Sequence, residues 1–219
     1  MKVLVTGRLP EEVMGLIRGE HLAETNEEDR PMERERLLEG IEDKDGLLCM
    51  ITDRVDQELL DRAPGLKMIA NCGVGYDNID VGAASARGIP VSNTPGVLTE
   101  ATADLVFALI LATARRVVEG DRRTREGKFQ FWAPLLFLGR DVSGKTLGIV
   151  GLGRIGRAVA NRARGFGMRI LYHNRHRMAA QEESALGAQY ADLETLLSES
   201  DFVSLHVALT EKTHHLLGR

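Results

Sequence analysis

The sequence predicts an α/β protein in which parallel strands are covered by helices on both faces. Two observations indicate this fold class. Short apolar runs alternate with polar, helix-forming stretches over the first hundred residues, and the same alternation restarts after residue 145. Strands that alternate with helices are joined by crossovers, which place the strands side by side in parallel. With 43% apolar and 27% charged residues, the 219-residue chain has the composition of a globular protein of one large or two small domains.

The first half of the chain contains four predicted strands and three predicted helices. The strands are short, apolar and mostly bounded by Gly, Pro or Asp, which is typical of strands in a covered sheet. The predicted strands are Val3–Thr6, Gly46–Met50, Leu66–Ala70 and Ile89–Ser92, and the predicted helices are Pro10–Arg18, Met32–Glu39 and Val55–Arg62.

A long helix is predicted from Thr99 to about Gly120, with Thr99 as its N-cap. Its apolar run Leu105–Leu111 leaves little polar face, so we expect the helix to be buried or packed on a partner. The charged stretch Glu119–Lys128 is predicted to be a solvated surface. The aromatic segment Phe129–Leu138 that follows is interpreted as a hinge, an oligomer contact or a local core cluster.

The second half of the chain repeats the alternation of strands and helices. Its pattern predicts three strands separated by two helices. In order, they are the strand Thr146–Val150, the helix Ile155–Phe166, the strand Arg169–His173, the helix Asp192–Leu197 and the strand Phe202–Val207.

Charge, hydropathy and cysteine spacing exclude several classes of protein. The net charge of −4 argues against non-specific nucleic-acid binding. The longest apolar run, Leu105–Ala112, is far shorter than the roughly 20 residues of a membrane span. Met1 leads into the first predicted strand without the apolar region of a signal peptide. Cys49 and Cys72 lack zinc or redox-motif spacing, which favours two reduced thiols in a cytoplasmic protein.

Two glycine-rich segments invite a nucleotide-binding interpretation. Gly139–Thr146 matches the P-loop pattern G-x-x-x-x-G-K-T, but a P-loop opens a helix, and here a strand follows. We therefore predict only a turn at Gly144.

The second segment, Gly151–Gly156, has the sequence GLGRIG between a predicted strand and a predicted helix, which is the context that a dinucleotide-binding loop requires. Gly151 permits the tight turn, Gly153 lets the backbone approach a pyrophosphate, and Gly156 lets helix and strand pack closely. The alternative is a glycine-rich turn without a ligand. The predicted cofactor-binding residues here are Gly151, Leu152, Gly153, Arg154, Ile155 and Gly156.

The turn after the next strand predicts which dinucleotide is bound. An NAD-selective site carries a carboxylate near this position for the ribose 2′-hydroxyl, but Asn174 stands there, 18 residues after Gly156. Arg175 and Arg177 lie beside it, and guanidinium groups pair well with phosphate. We therefore predict NADP(H) as the preferred cofactor, with NAD(H) possible. The alternative interpretation is a basic surface turn.

Five further segments form a characteristic series when they are taken in order: Asn71–Asp80, Arg87–Gly96, Glu100–Asp104, Gly144–Gly156 and Ser200–Thr210. Together they resemble the D-isomer-specific 2-hydroxyacid dehydrogenases, and within them the glyoxylate/hydroxypyruvate reductases. Asn174–Arg177 and Phe137–Gly139 are similar to that subgroup in particular.

The resemblance implies two Rossmann-like lobes with the active site in the cleft between them. Residues 1–98 would form a flavodoxin-like substrate lobe, and residues 99–219 the N-terminal part of a doubly wound dinucleotide-binding lobe that is incomplete. It also implies that Val74 and Gly75 bind the substrate carboxylate through backbone N–H groups. The glycines on either side of Val74 agree with such an anion nest, although the residues alone suit a tight turn equally well. Further cofactor contacts are implied for Thr102, His206, Val207 and Thr213; Ala208 replaces the proline that is usual in the family.

The implied reaction is hydride transfer between NADPH, or NADH, and a small 2-oxo acid, with glyoxylate or hydroxypyruvate favoured. The Arg, Glu and His that the family uses are expected beyond residue 219, and Arg219, His214 and His215 are not expected to replace them. The resemblance further implies a homodimer, and the sequence predicts no metal site.

Three alternatives remain at this stage. The chain is an inactive truncated fragment, a dinucleotide-binding interaction module without catalysis, or another 2-hydroxyacid dehydrogenase of the phosphoglycerate or D-lactate type.

Overall fold

The computed structural model describes residues 1–218, which form two compact units, each built on its own parallel sheet. The first unit is Met1–Gly96 together with the residues from Ala208 onward, and the second is Val97–Val207. Every strand pairing in both sheets is parallel, so the predicted α/β class is confirmed. No helix in the described residues is both long and apolar enough to cross a membrane.

The first unit has a five-stranded sheet with the strand order β2-β1-β3-β4-β5. This is the flavodoxin-like order that the resemblance implies. Strand β2 was not predicted, because it is a polar edge strand whose exposed and half-buried residues alternate and give no apolar run. The strands are β1 (Lys2–Val5), β2 (Leu22–Thr25), β3 (Gly46–Met50), β4 (Met68–Cys72) and β5 (Val91–Ser92).

Four helices belong to the described part of the first unit, and three of them contribute buried apolar residues to its core. Helix α4 was not predicted, because it is only six residues long and contains mostly small side chains; the Asp80 carboxylate caps it by accepting from the N–H of Ala83. The helices are α1 (Glu11–Glu20), α2 (Arg34–Gly40), α3 (Gln57–Arg62) and α4 (Val81–Ala86).

The second unit has a four-stranded sheet with the order β8-β7-β6-β9. Numbered within the unit this is 3-2-1-4, the beginning of the dinucleotide-binding order 3-2-1-4-5-6. Val150 pairs with His173 and with Leu205, so the carboxyl ends of three strands meet at one edge. The strands are β6 (Thr146–Val150), β7 (Arg169–His173), β8 (Ala188–Tyr190) and β9 (Phe202–Leu205).

Within the described residues, five helices accompany this sheet. Helix α7 carries the buried residues that pack on the strands, and α8 with β8 was missed because both are short and polar. The helices are α5 (Thr99–Ala114), α6 (Val117–Arg125), α7 (Arg154–Gly165), α8 (Ala180–Leu186) and α9 (Leu193–Glu199).

The single helix predicted from Thr99 to Gly120 is wrong, because the chain breaks between α5 and α6. Arg116 has the left-handed φ of 55° and its guanidinium lies 4.2 Å from the ring centroid of Phe137. The N–H of Arg140 donates to the carbonyl of Ala114 at 2.7 Å. The segment around Arg140 therefore returns to α5 and donates a hydrogen bond to a carbonyl at the C-terminal end of this helix. Thr99 is also not the N-cap: Leu98 occupies that position and no side chain caps the helix.

Helix α5 is buried along one face only. Phe107 is buried and stacks on Phe166 with ring centroids 5.3 Å apart. Arg162 of α7 ties the two helices together through ion pairs to Glu100 and Asp104. The opposite face leaves Leu105 59% and Leu109 58% exposed. The aromatic segment that follows is not a core cluster, because Phe129, Phe131 and Trp132 are exposed.

Candidate functional site

The three glycines of the loop between β6 and α7 occupy different steric environments. Gly151 has a φ of 98°, and a Cβ built on it would lie 2.7 Å from the carbonyl carbon of His206. A Cβ on Gly156 would collide with the carbonyl oxygen of Gly151, so this glycine permits the close approach of helix and strand. Gly153 faces open space, with no atom within 4 Å of its hypothetical Cβ. Two glycines are therefore required for packing, and the third leaves room for a ligand.

The start of α7 offers backbone N–H groups to that open space. Gly153 is the N-cap residue and no side chain caps the helix, so the first N–H groups, including those of Arg154 and Ile155, have no intrahelical partner. The N–H of Leu152 is already bonded to Oδ1 of Asn174 at 2.6 Å, and the Leu152 side chain is buried. An uncapped helix N-terminus beside an open glycine fits the pyrophosphate of a dinucleotide.

The two arginines in the turn after β7 differ in their hydrogen-bond and ion-pair partners. Arg175 is exposed, and its guanidinium has no hydrogen-bond or ion-pair partner among residues 1–218. Arg177 forms a two-point ion pair with Glu183, with nitrogen–oxygen distances of 2.8 and 2.9 Å. Of these two arginines, Arg175 is therefore the one without a partner among the described residues.

Glu183 was not predicted from the sequence, because it lies on a helix that the pattern did not indicate. It is buried and also accepts a hydrogen bond from the hydroxyl of Tyr172 at 2.6 Å. The Arg177 guanidinium and the Tyr172 hydroxyl lower the pKa of Glu183 to about 2. The Tyr172 hydroxyl accepts from the N–H of Met178. This cluster fastens the turn to helix α8.

The end of β9 lies beside the glycine loop. The N–H of His206 donates to the carbonyl of Val150 at 2.8 Å, and Cγ1 of Val207 would lie 2.9 Å from a Cβ on Gly151. The His206 ring is half-buried and hydrogen-bonds to Ser204, and burial lowers the pKa of His206. Burial thus favours the neutral form of the imidazole.

The two predicted threonines lie in different units. Thr102 is half-buried in α5. Thr213 lies in the first unit, and its hydroxyl donates to the carbonyl of Ala208 at 2.6 Å and accepts from the N–H of Thr210. His214 and His215 in the same turn are exposed, and Arg219 lies outside the described residues.

The loop after β4 contains the predicted carboxylate-binding residues Val74 and Gly75. Both are exposed, and their N–H groups have no partner within residues 1–218. Their carbonyl groups, by contrast, accept hydrogen bonds from the side chains of Asn93 and Asn71. Neither asparagine was predicted as a site residue. A loop with bonded carbonyls and free N–H groups suits an anion.

The remaining sequence motifs are the other glycine-rich segment and the two cysteines. Gly139–Thr146 leads into strand β6, and Gly144 has a φ of 71°, so the segment is a turn as predicted. Cys49 and Cys72 are free thiols. Among residues 1–218 no three His, Cys, Asp or Glu side chains are grouped so as to hold a metal ion.

Gly156→Ala is expected to destabilise the second unit by about 1–3 kcal/mol, because the new Cβ would collide with the backbone of Gly151. Gly165→Ala, at the other end of the same helix, is the matched control. Its Cβ would meet no atom within 4 Å, so we expect no loss or a gain of about 0.5–1 kcal/mol. Urea unfolding measures both, and equal effects of the two variants would contradict the steric argument.

Glu183→Gln is expected to flatten the acid dependence of stability. The folded-state pKa of Glu183 is about 2, against an ordinary value of 4.5. The stability that the ionised Glu183 carboxylate contributes is therefore fully present above pH 4.5 and is lost as the pH falls toward 2. Thermal unfolding across this window checks the prediction. Glu182→Gln is the control, since its half-exposed carboxylate pairs with Arg157 at the surface, and we expect it to change stability less.

Comparison with known proteins agrees with this geometry. Residues 107–219 match the family described as D-isomer specific 2-hydroxyacid dehydrogenase, NAD binding domain. A glyoxylate reductase from Thermococcus litoralis is 52% identical over 221 residues, an alignment that covers 99% of this chain and 66% of the relative. The chain thus spans about two thirds of the length of the curated relatives it matches.

Two solved structures have the same architecture. The TT0316 protein from Thermus thermophilus superposes with a TM-score of 0.89 at 48% identity, covering 99% of this chain and 68% of that one. A glyoxylate reductase from Paecilomyes thermophila gives a TM-score of 0.84 at 34% identity, with coverage of 99% and 68%. The fold, the glycine loop and these relatives agree, and the chain belongs to the D-isomer specific 2-hydroxyacid dehydrogenase family.

Proposed function

We propose that the protein reduces a small 2-oxo acid with a nicotinamide dinucleotide, and that glyoxylate or hydroxypyruvate is its substrate. The observation that carries this proposal is the uncapped start of α7 beside the open Gly153, which suits a pyrophosphate. The glyoxylate reductases among the relatives support the substrate class.

Residues of the second unit hold the dinucleotide in this proposal. The N–H groups of Arg154 and Ile155 bind the pyrophosphate, while Asn174 fixes the loop by accepting from Leu152. The dinucleotide, when bound, supplies the hydride. His206 and Val207 border the site next to Gly151, and Thr102 lies near the nicotinamide. In this proposal the half-buried His206 is a wall of the cofactor site rather than the general acid.

The substrate carboxylate binds the loop after β4. The free N–H groups of Val74 and Gly75 supply hydrogen bonds without adding a formal charge. Thr213 contacts the cofactor in this proposal, as the family resemblance implies.

NADPH is the preferred reductant in this proposal. Asn174 stands where a carboxylate would repel the 2′-phosphate, and the uncommitted guanidinium of Arg175 is available to bind it. Arg177 contributes less than the sequence suggests, because Glu183 already holds it. The free thiols of Cys49 and Cys72 support the cytoplasm as the compartment.

The protein acts as a homodimer in this proposal, and the exposed face of α5 contacts the second copy. Leu105→Glu combined with Leu109→Glu is therefore expected to yield monomers, because both side chains are exposed in the protomer and the fold does not need them. Sedimentation velocity measures the mass. Leu16→Glu, an exposed leucine of α1 in the first unit, is the control that should remain dimeric. A wild-type monomer would contradict the proposal.

Arg175→Ala is expected to weaken NADPH binding by about tenfold or more and to leave NADH binding unchanged, because a charged hydrogen bond to the 2′-phosphate is lost. Arg177→Ala is expected to weaken both dinucleotides equally. Fluorescence titration with each dinucleotide gives the dissociation constants, and loss of NADPH absorbance with glyoxylate tests the reaction itself.

The control for both variants is Arg169→Ala, a surface arginine at the opposite end of β7 that pairs with Glu199. It should leave both dissociation constants unchanged. If Arg175→Ala weakened NADH as much as NADPH, the assignment of the 2′-phosphate to Arg175 would be wrong.

A further inference from the structure

Three successive peptide groups in the loop after β4 have their carbonyl oxygens fixed by hydrogen bonds. Each carbonyl accepts from a different donor, and the donors come from two separate stretches of the first unit. The carbonyl of Gly73 accepts from the N–H of Thr94 at 2.9 Å, that of Val74 from Nδ2 of Asn93 at 2.8 Å, and that of Gly75 from Nδ2 of Asn71 at 2.7 Å.

Fixing these carbonyls also orients the N–H groups on the far side of each peptide. The peptide bonds of the described residues are trans, so C=O and N–H point in opposite directions across each peptide plane. The N–H groups of Val74, Gly75 and Tyr76 therefore point away from the donors that hold the carbonyls. None of the three donates to any group in residues 1–218.

We propose that Asn71 and Asn93 are positioning residues for the anion site: their side-chain amides hold the carbonyls of Gly75 and Val74 inward, and thereby present the N–H groups of Tyr76 and Gly75 to the carboxylate. This inference rests on the proposed function, and it extends the donor set of the site to Tyr76. It concerns a small carboxylate as the ligand.

The surroundings of Asn71 fix the direction of its amide. The side chain is buried, with 2% of its surface exposed. Its Oδ1 accepts from Nδ2 of Asn78 at 3.4 Å and from the thiol of Cys49 at 3.5 Å. Because both donors face the oxygen, the nitrogen is left to face Gly75. An aspartate at this position would keep the acceptor and lose the donor.

Charge in the neighbourhood makes correct orientation of the N–H groups more important. Oδ1 of Asp77 would lie 3.1 Å from a Cβ on Gly75, so a carboxylate borders the loop. To attract an anion, the backbone N–H groups that point outward together have to outweigh this negative charge.

The test is an amide NMR titration of the full chain with oxalate, used as an unreactive dicarboxylate probe. In the wild-type protein we expect oxalate to shift the amide signals of Gly75 and Tyr76. Asn93→Ala removes one donor without adding charge, and Asn71→Asp removes the other at constant size. Each is expected to weaken oxalate binding by about tenfold or more, the usual scale for a hydrogen bond to a charged group, and to suppress those shifts.

Asn26→Asp is the matched control. Asn26 is 1% exposed, and its Nδ2 donates at 2.8 Å to the carbonyl of Arg30, four residues later, as Asn71 does to Gly75. The control should lose stability as Asn71→Asp does, yet keep wild-type affinity for oxalate. If Asn71→Asp does not fold, the half-buried Asn93→Ala variant decides the question.

The outcomes separate the two proposals. Wild-type affinity in a folded Asn93→Ala or Asn71→Asp variant would overturn the positioning role while leaving the proposed function intact. If Asn26→Asp weakened oxalate binding as much as Asn71→Asp, the positioning role would also be overturned. The loss would then be a general effect of a buried charge. Failure of oxalate to shift the amides of this loop in the wild-type protein would overturn the anion site, and the positioning role with it.

Discussion

The unpaired backbone N–H group is the element on which both candidate sites depend. In the second unit the first N–H groups of α7 have no partner within the helix, and Gly153 leaves space in front of them. In the first unit a loop after β4 leaves successive N–H groups free within the described residues. In both cases an asparagine carboxamide orders the loop. Asn174 accepts from the peptide of Leu152, and Asn71 donates to the peptide of Gly75.

Charge near the cofactor site is controlled by pairing rather than by the number of arginines. The sequence shows two arginines after β7, and their proximity suggested two equivalent phosphate ligands. In the folded chain Glu183 holds Arg177 from helix α8, and Tyr172 supports the same carboxylate from β7. The remaining cation, Arg175, is exposed and uncommitted within the described residues. A single side chain therefore carries the proposed selectivity for the 2′-phosphate.

Strongly apolar strands and the amphipathic helix α7 could be predicted from the sequence, whereas edge and connecting elements could not. Thr146–Val150 and Arg169–His173 were located correctly because buried parallel strands are continuous apolar runs. The strand Leu22–Thr25 was not predicted, because an edge strand tolerates polar residues. The helix break at Arg116 was missed because its cause is a contact from Arg140 to Ala114, which no local pattern contains.

The sequence by itself determined the glycine loop, the α/β class and the resemblance to the family, and that resemblance implied the two topologies. A turn that only glycine can make, followed by a helix that must approach a strand, is a local steric requirement and leaves its trace in consecutive residues. Only the tertiary structure decided the partners of individual polar groups. Asn93 reaches a carbonyl 19 residues before it, and Glu183 selects Arg177 over Arg175. Such choices depend on which atoms the packed elements bring within hydrogen-bond distance.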